Sequence, residues 1–139
     1  MNAMGAALIQ LLRKAAWAPV LVLLIHQMVL RTPWRRELDF CMHFSGGMAA
    51  AYLAWHALSC FQRWIGGLTP IGRWLFSFAL GCTIGVFWEF AELASDVFRG
   101  THIQQSIRET MRDLIADACG ATLALILTAS FARKSRDPG

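Results

Sequence analysis

The stretch GVFWEFAELASDVF, residues 85–98, combines the apolar composition of a membrane-spanning helix with three carboxylates. Glu89, Glu92 and Asp96 are spaced i, i+3 and i+7, so a helix places them on one face. A charged side chain at the centre of a bilayer costs about 2.5–3.5 kcal/mol on insertion scales. The spacing therefore predicts that this acid face is buried against protein and not against lipid.

Polar residues and glycines occur together in this segment and in two others. In the segment DFCMHFSGG, Asp39 and His43 are spaced i, i+4. In the segment DLIADACG, Asp113 and Asp117 have the same spacing. Glycines on the same faces let neighbouring helices approach closely, so we predict that three helices share one polar site. The glycines predicted to serve helix packing are Gly46, Gly47, Gly81, Gly85 and Gly120.

The composition is that of an integral membrane protein. The 139 residues are 56% hydrophobic and 16% charged, whereas ordinary soluble domains are about 25% charged. Four apolar stretches approach the roughly 20 residues that a transmembrane helix needs. We predict an all-α bundle of about four transmembrane helices forming one domain, residues 1–139, with a short N-terminal interfacial helix or helical extension. The predicted spans are 15–34, 40–60, 74–95 and 113–131.

The basic residues argue against nucleic acid as a partner. The net charge is +4, but Lys and Arg flank the apolar runs and form no stripe on a soluble face. The sequence also contains no Walker loop, no dinucleotide fingerprint, no serine-hydrolase elbow and no H-E-x-x-H motif. It therefore predicts a membrane protein without naming a reaction.

Acidic residues are distributed unevenly across the predicted membrane. With four spans, the loops near 31–39 and 96–112 lie on one face and both termini lie on the other. Eight of the nine acids then belong to the first face. Lys and Arg divide almost evenly, seven on the termini side against six, and those six are interspersed with acids. We predict cytoplasmic termini and an acid cluster that faces the periplasm or exterior.

Clustered carboxylates repel one another unless protons, arginines or a metal ion compensate their charge. Carboxylates and an imidazole on facing helices suit a divalent cation. Two other interpretations remain open at this point: a salt-bridge network with Arg108 and Arg112, and helix capping by Asp39 and Asp113. The predicted metal ligands are His43, Glu89, Glu92, Asp96 and Asp113.

Three segments in this order resemble the YjdF-like family of small bacterial membrane proteins: LDFCMHFSGG, WEFAELASDVFRGT and TMRDLIADACGA. More distantly, they are similar to VanZ-like proteins. The resemblance covers about residues 38–125 and implies a multi-pass protein of the bacterial inner membrane with a shared site, but no established reaction. Position by position it carries over to Asp39, His43, Glu89, Glu92, Asp113 and Gly120.

Three functions fit these observations. The first is a divalent-metal-dependent enzyme acting on a lipid head group, with Asp117 or Asp39 as the base and Arg108 or Arg112 binding the phosphate. The second is a module that binds or transports cations or protons, which would need a homo-oligomer because four short helices are few for a transporter. The third is a structural or accessory membrane protein whose polar cluster only fixes helix packing.

Overall fold

The computed structural model describes residues 2–134, and this part of the chain is all-helical with no strand. The prediction of an all-α protein is confirmed. Arg136 is one of the seven basic residues counted on the termini side, and Asp137 is the ninth acid. Both lie outside the described residues. The helices are α1 Ala3–Ala15, α2 Trp17–Val29, α3 Arg35–Cys60, α4 Gln62–Ile65, α5 Pro70–Arg99 and α6 Ile107–Lys134.

Helix α3 lies at the centre of the bundle and packs against α1, α2, α5 and α6. Its buried positions are dominated by small residues, which let the neighbouring backbones approach. Since α3 contacts protein on most sides, it needs less apolar surface than a helix that faces lipid. Its buried residues are His43, Gly47, Ala49, Ala50, Ala51, Ala54 and Trp55.

Two helices, α5 and α6 over Ile107–Ala132, have the length and apolar composition of membrane spans. Helices α1 and α2 form a bent pair that would make a third if the pair is one broken span. Helix α3 is not among them, because charged residues crowd its first turns and His43 and His56 lower its hydropathy. The structure therefore gives two to three candidate spans rather than the predicted four. At 26 residues, however, α3 is about 39 Å long, more than the ~30 Å of a bilayer core.

The break between α1 and α2 is a bend of 52° at Ala16. Pro19 follows three residues later and has no N–H to donate to the carbonyl of Ala15, and its ring crowds that carbonyl. The predicted span 15–34 begins at this point as one continuous helix, and the sequence did not predict the bend.

Local signals set the limits of α5 and the start of α6. Thr69 caps α5 by accepting a hydrogen bond from the backbone N–H of Gly72 at 3.0 Å, and Pro70 occupies the first turn. Gly100 ends α5 in the left-handed region at φ 64°. Ser106 accepts from the backbone N–H of Glu109 at the start of α6. These helices extend several residues beyond the predicted spans.

Backbone contact at glycines fixes the crossing of α3 and α6. A Cβ built on Gly47 would collide with the backbone carbonyl of Asp117, and one built on Gly120 would collide with the backbone carbonyl of Phe44. Two glycines of α5 face the same region, since a Cβ on Gly85 would strike the Asp117 carboxylate and one on Gly81 would press on Ala51 at 3.2 Å. Helices α3 and α6 therefore approach each other as closely as their backbones allow, and α5 packs closely against side chains of both.

Replacing Gly47 by Ala is expected to destabilise the protein by about 1–3 kcal/mol, the usual cost of overpacking, because the obstacle is backbone and not a flexible side chain. Gly46→Ala is the matched control. Its Cβ would lie 3.7 Å from an Asp117 carboxylate oxygen, an ordinary contact, and alanine favours the helix. Thermal unfolding in detergent measures both variants. An apparent Tm for Gly47→Ala equal to or above that of Gly46→Ala would contradict the close crossing.

Candidate metal site

Acidic side chains from three helices meet around one histidine at the end of the bundle where α3 and α6 begin and α5 ends. Helix α3 contributes two of these residues, α5 contributes two and α6 contributes two. We call this group the carboxylate–His cluster. It consists of Asp39, His43, Glu89, Glu92, Asp113 and Asp117.

His43 lies at the centre of the cluster and is only 5% exposed. Its Nδ1 is 3.4 Å from an Asp117 carboxylate oxygen and 3.7 Å from Glu89 Oε1. Its Nε2 is 3.9 Å from Asp39 Oδ1 and has no hydrogen-bond partner within residues 2–134. Each ring nitrogen therefore faces a different set of carboxylates.

Three carboxylates of the cluster are as buried as the histidine. Glu89, Asp113 and Asp117 are each 4% exposed, while Asp39 and Glu92 are half-buried. Glu89 Oε1 has no hydrogen-bond partner in the described part of the chain. Burying an ionised carboxylate is costly unless it is paired or coordinates a metal, so this oxygen lacks the compensation that such groups normally have.

Arg112 compensates one side of the cluster. Its guanidinium lies 3.3 Å from an Asp39 oxygen and 3.2 Å from an Asp113 oxygen, and its side chain remains 43% exposed. Part of the predicted salt-bridge network is thus present. Arg108, the other arginine expected to bind a head group, is exposed on the first turn of α6.

Asp96, which was predicted as a metal ligand, is not in either group whose ligand atoms converge. Its carboxylate instead accepts hydrogen bonds from the Thr101 hydroxyl and from the backbone N–H groups of Ile103 and Gln104, at 2.6–2.8 Å. These bonds fold the connection between α5 and α6 back onto α5. Gln104 then reaches Glu89, donating from Nε2 to its Oε2 at 2.8 Å and to its backbone carbonyl at 3.0 Å.

Glu92 is oriented by its own helix. Trp88 Nε1 donates to Glu92 Oε1 at 2.8 Å, and the Trp88 ring packs edge-on against His26 of α2 with a centroid separation of 5.3 Å. The i, i+4 spacing of Trp88 and Glu92 makes this hydrogen bond possible. Gln104 was missed because it lies in a connection between helices, where helical periodicity gives no signal.

Two sets of three residues have ligand atoms that all lie within 4.8 Å of one another. One set is Asp39, His43 and Asp113, and the other is His43, Glu89 and Glu92. Both contain carboxylate oxygens and one imidazole, which is a donor set that divalent transition metals accept. The geometry is compatible with metal binding at either set.

An all-helical bundle with apolar candidate spans and buried acids belongs to the class of integral membrane proteins with a polar site between helices. Residues 6–134 match the family described as "Predicted membrane protein (DUF2238)", and the chain belongs to that family. The finer resemblance to YjdF-like and VanZ-like proteins stays a prediction.

The chain is also similar to an uncharacterized protein of Thermotoga maritima, with 33% identity over 91 residues. This match covers 64% of the chain and 46% of the relative, so the chain matches about half of the relative's length. No solved structure matches.

Gln104→Leu is expected to destabilise the protein by about 1–3 kcal/mol, because it removes the amide that donates a hydrogen bond to the buried Glu89 carboxylate at 2.8 Å. Gln105→Leu is the control, since Gln105 is exposed and leaves Glu89 untouched. Thermal unfolding in detergent is the measurement. Equal apparent Tm values for the two variants would show that the Gln104–Glu89 bond contributes nothing to stability.

Proposed function

We propose that this protein is a divalent-metal-dependent enzyme that acts on a lipid head group at one face of the bacterial inner membrane. The observation that carries the proposal is the buried Glu89 carboxylate, whose Oε1 lacks a hydrogen-bond partner in the described region and lies 3.7 Å from His43. A cation at this position would supply the missing compensation.

The charges of the carboxylate–His cluster support a bound cation. Its five carboxylates carry five negative charges when ionised, and Arg112 cancels one of them, which leaves four when His43 is the neutral imidazole that can ligate an ion. Such an excess within a bundle of apolar helices requires either protons or a further cation. A divalent ion would halve the excess while leaving the acids ionised.

One ion fits the cluster better than two. A neutral imidazole has a single lone pair on one ring nitrogen, so His43 can ligate an ion in only one of the two sets. Arg112 already forms ion pairs with both Asp39 and Asp113. No arginine or lysine contact is present at Glu89 and Glu92 among the described residues. We therefore assign the ion to His43, Glu89 and Glu92.

Neighbouring side chains would hold these ligands in place. Gln104 binds Glu89 Oε2 and Trp88 binds Glu92 Oε1, so each carboxylate keeps its other oxygen for the ion. Outer hydrogen bonds of this kind orient metal ligands in many sites. Asp96 would not contact the ion in this arrangement. It would act through Gln104, because it accepts a hydrogen bond from the Gln104 backbone N–H and so fixes the connection that carries this residue.

Residues near the ion would divide the remaining chemistry. A bound divalent cation activates water and neutralises a phosphate oxygen. Asp39 is the better candidate for the base, since it is half-buried and reaches the solvent side, whereas the buried Asp117 carboxylate packs against His43 and Gly85. Arg112, half-exposed at the same end, is placed to bind a head-group phosphate, and Arg108 lies one turn before it.

We also propose four membrane crossings with both termini in the cytoplasm. The bent α1–α2 pair, α3, α5 and α6 would each cross once, with α3 shielded by the others. The carboxylate–His cluster then lies at the outer face. Lipid head groups lie at this face of the membrane. The described residues near the cluster include the exposed arginines expected of a site for an anionic group.

Glu92→Gln is expected to weaken metal binding by more than about a hundredfold, the upper end of the effect of outer-shell substitutions, because it replaces a ligand oxygen. Asp39→Asn, the matched isosteric control in the other set, is expected to keep the ion. The full chain is purified in detergent, incubated separately with Mg²⁺, Mn²⁺ and Zn²⁺, desalted and measured by elemental mass spectrometry.

Folding of both variants is checked by circular dichroism and elution volume. Metal lost by Asp39→Asn and kept by Glu92→Gln would move the ion to the set with Asp113. Absence of metal from the parent after every incubation would contradict the metal proposal and favour the interpretation that the cluster serves packing.

The metal-loaded parent is expected to convert at least one lipid in a panel of phospholipids and polyprenyl phosphates, and chelation or Glu92→Gln is expected to abolish the conversion. Product formation is followed by mass spectrometry in mixed micelles. No conversion across the panel would contradict the enzyme proposal. Cation flux into liposomes that disappears in Glu92→Gln would support the transport alternative instead.

A further inference from the structure

A cavity of about 220 Å³ lies between α2, α3 and α5 and ends at the carboxylate–His cluster. Its walls are formed by apolar side chains and by glycines, and its polar end is formed by His43 and Asp117. Along α3 the lining extends from Met42 to Leu53, which is about 16 Å of helix. The cavity is therefore long and apolar, and His43 and Asp117 of the carboxylate–His cluster bound it at one end.

The cavity opens sideways between α2 and α5. No Cα atom of α2 lies within 8 Å of a Cα atom of α5 or α6 within residues 2–134, so α2 is held to the bundle through α3 and α1. The contact between His26 and Trp88, with ring centroids 5.3 Å apart, bridges the gap at the end nearest the cluster. Leu23 and Ile84, on opposite sides of the gap, line the cavity and remain 45% and 46% exposed.

These features indicate which kind of molecule can fill the cavity. A polar solute would find no hydrogen-bond partners along the apolar walls, and leaving its polar groups unpaired there would be costly. A hydrocarbon chain fits the lining and can enter from the bilayer through the gap. The polar end then lies where the head group of the same molecule would be. His43, 5% exposed with Nε2 unpartnered in the described region, belongs to both the cavity and the cluster.

We infer that the cavity between α2, α3 and α5 holds one hydrocarbon chain of the lipid substrate and thereby presents its head group to the carboxylate–His cluster. This inference rests on the proposed function and specifies its substrate as a lipid that enters laterally, between α2 and α5. The His26–Trp88 contact lies at the level where the hydrocarbon chain of the bound lipid would end and its head group would begin.

The test uses a phosphatidic acid with a photoreactive diazirine in one acyl chain, incorporated with the full-length protein into lipid nanodiscs. After illumination, cross-linked peptides are mapped by mass spectrometry. Cross-links are expected to concentrate on the part of α3 from Ala49 to Leu53, which is otherwise shielded by its neighbours. Leu23→Trp, which fills the cavity, is expected to reduce them about tenfold, the loss expected when about two methylene groups no longer fit.

Leu24→Trp is the matched control, because Leu24 is 56% exposed and does not line the cavity. A second pair, Ile84→Trp with Leu80→Trp as its control, covers the case in which substitution in α2 disturbs folding. Metal content is measured in all four variants and is expected to match that of the parent.

Cross-links spread evenly over the lipid-facing helices, and unchanged in both cavity variants, would overturn the inference while leaving the metal site intact. Lipid cross-links at the cavity that disappear when each nanodisc holds two copies of the protein instead of one would overturn it in favour of a self-association surface. If the parent binds no metal but the cross-links behave as expected, the cavity is a binding site for a hydrocarbon chain and the proposed metal-dependent catalysis is contradicted.

Discussion

The close crossing of α3 and α6 is the constraint on which the rest of the structure depends. Gly47 and Gly120 bring each helix against a backbone carbonyl of the other, because neither position leaves room for a Cβ. His43 lies one turn before Gly47, and Asp117 lies nearly one turn before Gly120, so the same crossing sets these two side chains against each other. Glycine within a helix costs roughly 0.5–1 kcal/mol relative to alanine. The packing geometry offsets that cost.

The bundle has two chemically different ends. Toward the termini, Ala51, Trp55, Ala121 and Leu125 form a buried apolar core, whereas the opposite end buries the histidine and acids. Helix α3 connects the two ends and packs against α1, α2, α5 and α6, so protein surrounds it although its composition is not that of a membrane span. The helices around it turn their large apolar residues outward, as a membrane environment favours.

Some of this architecture could be predicted from helical periodicity alone. The positions four residues apart in α5, from Ser77 through Gly81 and Gly85 to Glu89, are all buried, and the spacing of the acids identified that face. Periodicity gives no information about the connection between α5 and α6, so the role of Gln104 could not be predicted. It also does not show that Arg112 joins Asp39 to Asp113, because that contact depends on how α3 and α6 are rotated relative to each other.

Because of its position between three helices, the net charge of the carboxylate–His cluster affects how tightly those helices pack as well as what the cluster can bind. Its carboxylates come from three helices, so their mutual repulsion acts to separate α3, α5 and α6 at one end of the bundle. A cation bound among them would reverse the sign of that interaction and hold the three helices together, since metal binding and folding are thermodynamically coupled. At the apolar end the described residues form no comparable group of carboxylates, so a cation bound in the cluster would not act there in this way. Loading and loss of a cation would therefore tighten and loosen only the end of the bundle that carries the carboxylate–His cluster.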